Sequence, residues 1–362
     1  MRLLDDNPVD EQPPPVMTSR DRALAEQEMM EQAAQQYACA ETVTQTLIGY
    51  GLGPFLEKEF PVRECLLSPW LTKQGLAMLY APRGIGKTFF ALNTAYAVAT
   101  AGEFLQWKAD RTWKVVYFDG EMPAITMQER LAGLVAADSR NEITGFENLT
   151  IVSQELQEPS MPDLASIDGQ RVFDQLTNDA DLIIVDNIST LCRAGAENKA
   201  DDWTVVSDWA LRMRKEGRTV LFIHHAGKGG QQRGTSKRED ILDVVIALRE
   251  PLGDKPSGAS FEIHFEKARH LFGDDIEPVV ATMNDYEWTC EPLADSVYSR
   301  IVALHKDGLT NVEIATEVNL HKSNVGRQLN KAENAGDIDP RPKKKSGKKS
   351  KKEDSAESGE SS

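Results

Sequence analysis

The chain has 362 residues, 40% of them hydrophobic, and its 57 acidic residues against 41 Lys and Arg give a net charge of −16. That length allows one large domain or two smaller ones, and the acidic balance argues against a protein that coats duplex DNA over its whole surface. No apolar run approaches the ~20 residues a membrane helix needs. Cys39, Cys65, Cys192 and Cys290 are isolated, without zinc spacing, as in a reduced cytoplasmic compartment.

Residues 1–20 are acidic and carry Pro13-Pro14-Pro15, so a disordered tail is expected and a signal peptide is not. Residues 21–64 begin with an Ala-, Gln-, Glu- and Met-rich stretch that favours helix. A helical arm is expected there, either solvated or packed on a neighbouring subunit. From about residue 65 to 290 strands alternate with helices, the pattern of a parallel α/β sheet.

The stretch Leu76–Thr88, LAMLYAPRGIGKT, is a strand, a glycine-bearing loop and a helix start. In that order they form a P-loop. Residues Ala81, Pro82, Arg83, Gly84, Ile85 and Gly86 would wrap phosphates with backbone N–H groups at a helix N-terminus. Lys87 would reach the β- and γ-phosphates and the Thr88 hydroxyl would ligate Mg²⁺, so ATP and Mg²⁺ are the expected cofactors. Ala81 stands where the pattern usually begins with Gly. The alternative is a chance glycine turn.

Further on, Trp113–Phe118 reads as a strand that runs into Asp119-Gly120-Glu121-Met122, with Arg130 on the following helix. Leu149–Val152 is another strand, and Asp181–Asn187 is an apolar strand whose Asp186 fits the Walker B pattern of an Mg²⁺-holding carboxylate. A helix over about 201–216 precedes Thr219–Ile223, which ends in His224-His225. Residues 226–236 form a glycine-rich loop with Lys228 and Arg233, either a plain connection or a pore-lining loop that grips single-stranded backbone by charge. Phe261–Phe265 leads to Lys267-Ala268-Arg269, and Val279–Met283 reads as a last strand. Ligands of such sheets sit at the carboxyl ends of the strands, where all these motifs are expected.

Taken as a set, residues 65–285 resemble RecA-fold hexameric ATPases of the DnaB and plasmid RepA helicase type, and the His-His-Ala-Gly-Lys and Arg-Gly-Thr-Ser runs resemble a mobile-element subgroup. The resemblance implies a RecA-like parallel sheet flanked by helices. It implies that Glu121 polarises the attacking water, that His225 senses the γ-phosphate, and that Lys267 and Arg269 act across a subunit interface. Asp119-Gly120 replaces the family's Ser-Leu, and no primase-binding N-terminal domain is evident.

Residues 296–338 change character. A helix over Val297–Lys306, a capping box at Thr310–Glu313 and a polar helix from Lys322 read as helix-turn-helix. It resembles the winged-helix kind, with Lys322, Ser323, Asn324, Arg327 and Lys331 as candidate DNA contacts; a protein-docking bundle is the alternative. The tail 339–362 is expected to be disordered, with eight basic residues in Arg341–Lys352 and four acids after them.

The expected function is an ATP-driven DNA helicase or translocase, a homohexamer replicating a plasmid, phage or integrated element, with a replication initiator or primase as a further partner. Two alternatives stand beside it: a RecA- or KaiC-like regulatory or recombination ATPase that does not unwind DNA, and a DNA-binding regulator whose assembly ATP controls.

Overall fold

The computed structural model describes residues 47–60, 62–193, 200–227, 239–251 and 258–339. The expected tail 1–20, most of the arm 21–64, the loop bearing Lys228 and Arg233, and nearly all of 339–362 lie outside the described residues. The chain divides at residue 61 into two compact units. In the first, helix α1 (Leu52–Leu56) buries no residue, and Leu47, Ile48, Leu52, Phe55, Leu56 and Phe60 are exposed.

The second unit is a RecA-like α/β fold built on a nine-stranded sheet. In chain order its strands are β3 (Leu76–Ala81), β6 (Val115–Asp119), β7 (Leu149–Ser153), β8 (Leu182–Asp186) and β9 (Thr219–His225), then β10 (Val244–Arg249), β11 (Ser260–Ala268), β12 (Val279–Asn284) and β13 (Glu287–Pro292). Small hairpins precede and follow β3: β1 (Cys65–Leu67) with β2 (Leu71–Thr72), and β4 (Glu103–Phe104) with β5 (Trp107–Lys108). Across the sheet the order is β13-β12-β11-β10-β3-β9-β8-β6-β7. The steps from β10 to β7 are parallel, and those from β10 to β13 are antiparallel.

The central strands are apolar at nearly every position because both faces are covered. Alternate residues of β3 enter different cores. Ala77, Leu79 and Ala81 join one cluster, and Leu76, Met78 and Tyr80 join the other. Helix α2 (Lys87–Ala99) fills the first with Phe90, Ala91, Leu92, Ala95 and Val98. A helix that is apolar nearly all round must be buried, and α2 is. Helices α3 (Ala124–Ala137) and α4 (Ile167–Thr177) follow β6 and β7, and the short α5 (Ile188–Leu191) follows β8. Helix α6 (Ala200–Lys215) covers the second face with Trp203, Val206, Trp209, Ala210 and Met213, spaced for one helical stripe.

Two expectations change. Val279–Met283 does not end the sheet, since β13 pairs beyond it. The motifs also do not all share one end. Strand β11 runs antiparallel to β10, with Ala268 opposite Val244 and Val244 opposite Ala77. The carboxyl end of β11, with Lys267 and Arg269, therefore lies at the amino ends of the parallel strands.

Helices α7 (Leu293–Lys306), α8 (Asn311–Glu317) and α9 (Lys322–Ala335) enclose a core of their own, built from Ile301, Ile314, Val325, Leu329 and Ala332 among others. The capping box is formed: Thr310 Oγ1 accepts from Glu313 N, and Thr310 N donates to the Glu313 carboxylate at 2.8 Å. No described helix is long and apolar enough to cross a membrane.

Candidate nucleotide site

Strand β3 delivers the loop Pro82–Gly86 to the carboxyl edge of the sheet, and α2 starts at Lys87. Gly86 holds φ near 120°, a conformation that L side chains rarely adopt, and an added Cβ would meet the Phe261 ring at 3.0 Å. The loop lines a cavity of about 920 Å³ together with Lys87, Thr88, Glu121, Arg130, Asp186 and His225. Residues as far apart in the chain as Arg83 and His225 are thereby brought to one space, because β3, β9, β8 and β6 are neighbours running the same way.

Lys87 is buried, and its Nζ donates to the carbonyls of Ala81 at 3.1 Å and Pro82 at 2.9 Å. Burial pulls its proton affinity down, while Asp186 and Glu121 pull it back up. Asp186 ends β8, is buried, and accepts from Tyr117 Oη at 2.6 Å. Burial holds its carboxyl above the usual carboxylate range, against hydrogen bonds from Tyr117 and Thr88. Thr88 hydroxyl and Asp186 carboxylate thus meet as a pair of hard oxygen donors. They fit Mg²⁺, which keeps water and phosphate oxygens in most of its positions. Among the described residues no group of three or more His, Cys, Asp or Glu side chains could hold a metal alone.

Glu121 follows the carboxyl end of β6, and Asp119 ends that strand in register with Asp186. Burial, and then Asp186, push the Asp119 carboxyl up to about 7. Its oxygens accept from Met122 N at 3.0 Å, closing the turn that carries Glu121 outward. Gly120 is required here, since a Cβ would sit 2.3 Å from Thr190 Oγ1. That is why a leucine has no room at this position. His225 Nε2 lies 3.1 Å from Glu121 Oε1 and 3.3 Å from Asn187 Nδ2. Burial raises the Glu121 carboxyl, but hydrogen bonds from Asn187 and His225, with the charges of His225 and Arg83, leave it below its usual range.

Sequence reasoning missed the far wall, made by Gly258, Ala259, Met283, Asp285 and Tyr286. Asp285 and Tyr286 form the turn of the β12–β13 hairpin with φ of 48° and 68°, between the paired Asn284 and Glu287. The Tyr286 ring lies 6.4 Å from the Phe89 ring, and the Arg130 guanidinium lies 4.2 Å over Phe89. Trp288 Nε1 donates to Asn93 Oδ1 at 3.1 Å and fastens the hairpin to α2.

A family model described as an AAA domain matches residues 54–231. With the strand–loop–helix geometry it supports a RecA-like P-loop ATPase. Two solved structures are similar at low identity. A KaiC-like protein from the archaeon Pyrococcus horikoshii OT3 shares 17% identity over 63% of this chain and 94% of that one, with a TM-score of 0.44. The flagellar accessory protein FlaH from Methanocaldococcus jannaschii shares 12% over 60% of this chain and 90% of its own, with a TM-score of 0.42.

Lys267 and Arg269 stand apart from this cavity. Lys267 Nζ donates to the Glu239 carbonyl, and Arg269 Nη2 donates to the Asp240 carbonyl at 2.8 Å. Asp243, 3.7 Å from Arg269, also accepts from Leu76 N at the amino end of β3 and pairs with Arg214. The six residues of β3 put roughly 20 Å between this cluster and the P-loop. On α9, Lys322, Ser323, Arg327 and Lys331 are exposed and Asn324 half-buried, with Arg327 Nη2 donating to Asn324 Oδ1 at 2.7 Å.

Proposed function

We propose that this chain hydrolyses ATP and couples the hydrolysis to movement on DNA, as a helicase or translocase. The observation that carries the hydrolysis is Glu121 in the P-loop cavity, opposite Lys87 and hydrogen-bonded to His225. A carboxylate that stays ionised beside the γ-phosphate position is suited to take a proton from water. His225 and Asn187 orient it, and Thr88 and Asp186 hold Mg²⁺, which neutralises phosphate charge when bound. Arg269, about half exposed at the far end of the sheet, serves a neighbour's site in a ring whose interfaces run head to tail. The polar face of α9 supplies duplex contacts.

The test is ATP turnover with and without DNA, followed by strand displacement on a fork. Stimulated turnover with displacement supports the proposal; turnover without displacement leaves a DNA-associated ATPase that does not unwind.

A further inference from the structure

Phosphoryl transfer to water needs positive charge around the γ-phosphate beyond the metal ion. Among the described residues three cationic side chains line the cavity: Arg83, Lys87 and Arg130. Lys87, the residue expected to serve the β- and γ-phosphates, donates to the Ala81 and Pro82 carbonyls. Arg130 lies over Phe89, on the wall that Phe89 shares with Tyr286. Arg269 and Lys267 are at the other end of the sheet and bound there. Arg83 is left. It stands on the rim of the loop, exposed, and lines the same cavity as Glu121 and His225. It is close enough to act electrostatically on both Glu121 and Lys87.

We propose that Arg83 meets the γ-phosphate of ATP in cis, within the subunit that supplies Lys87 and Glu121. The assignment rests on the ATP-hydrolysis reading. In that step the water oxygen bonds to the γ-phosphorus and Glu121 takes the water's proton. The bridging P–O bond breaks, with its electron pair leaving on ADP. Negative charge moves onto the equatorial and bridging oxygens, and a guanidinium at the loop rim neutralises it there. A planar fork suits two of those oxygens at once. The loop then contributes a catalytic side chain in addition to backbone N–H groups.

The test compares the full-length wild type with Arg83→Ala and Arg83→Lys. Arg83→Ala is expected to keep ATP affinity within about threefold and to lose about 10²-fold or more in kcat, as for removal of transition-state charge. Its affinity for ADP with aluminium fluoride, which mimics the planar phosphoryl group, is expected to fall in parallel, and Arg83→Lys regains part of both. Blending Arg83→Ala with Lys87→Ala subunits is expected to restore nothing, because both groups belong to one loop. Unchanged kcat in Arg83→Ala, or recovery in the blend, overturns the assignment. A wild type with no turnover overturns the hydrolysis reading and this assignment with it.

Discussion

His225 Nε2 and Glu121 Oε1 lie 3.1 Å apart at the cavity mouth, though 104 residues separate them in the chain. The contact exists because β6 and β9 flank β8 and end at one edge. The same imidazole reaches Asn187, so the group proposed to sense phosphate also holds the proposed base.

His225→Ala is therefore expected to disturb both roles. Glu121 loses a hydrogen bond to its charged form, and kcat is expected to fall about 10²-fold, the low end of what acid–base assistance contributes. ATP affinity should change little. Glu121→Gln should stop turnover with ATP still bound, since an amide takes no proton. Steady-state kinetics beside nucleotide binding checks both, and turnover within a few-fold of wild type in Glu121→Gln would place the base elsewhere.

Tyr286 and Asp285 are expected to shape the nucleoside end of the cavity. Tyr286→Ala opens the wall against Phe89 and Gly133. ATP affinity should drop about tenfold, in line with 1–3 kcal/mol for base–aromatic stacking. Inorganic tripolyphosphate, which has no base, should bind as before. Equal losses for both ligands would mean that the loop itself had moved.

These residues show where reading the sequence stops. The P-loop and the aspartate that ends an apolar strand, Asp186, were legible because each is a short local pattern with its own chemistry, whereas Glu121 was legible only through the family resemblance. The wall at 258–259 and 283–286 carries no phosphate chemistry and becomes part of the cavity only through sheet pairing. Its one local signal is the polar Asn284-Asp285 step between two strand-like runs, a hairpin signature. The direction of β11 was illegible for a similar reason. Period-two alternation reports a strand, not which way it runs, so Lys267 and Arg269, expected at the carboxyl ends of the parallel strands, lie at the opposite edge. The capping box at Thr310 was read in full, because both partners are three residues apart.

The far-end position of Arg269 makes a separable prediction. Arg269→Ala should leave ATP affinity intact and reduce turnover by ~10³-fold, within the range for arginine fingers. Blended with Lys87→Ala, it should regain turnover, in contrast to the Arg83→Ala blend. Mixed assemblies without any recovery would assign Arg269 to the Asp240 and Asp243 contacts alone.

Asp138 predicts the acid side of stability. Hydrogen bonds from Arg140 hold its carboxyl down at about 2, with Tyr96 Oη donating at 2.9 Å. A carboxyl depressed by folding adds stability above its unfolded value near 4, and that contribution is lost as pH falls toward 2. The pair is partly open to solvent, so about 1 kcal/mol is expected. Denaturant midpoints of wild type and Asp138→Asn should differ at pH 7 and converge near pH 2; a constant gap contradicts the cause.

ATP is proposed to be hydrolysed in the cavity between Lys87, Glu121 and Asp186. The most direct measurement is phosphate release by the full chain with Mg²⁺ and ATP, set beside Lys87→Ala. Turnover is expected in the wild type, and loss of both nucleotide binding and turnover in the variant, because the cation proposed for the β- and γ-phosphates is gone. Phosphate release by Lys87→Ala at the wild-type rate would contradict it.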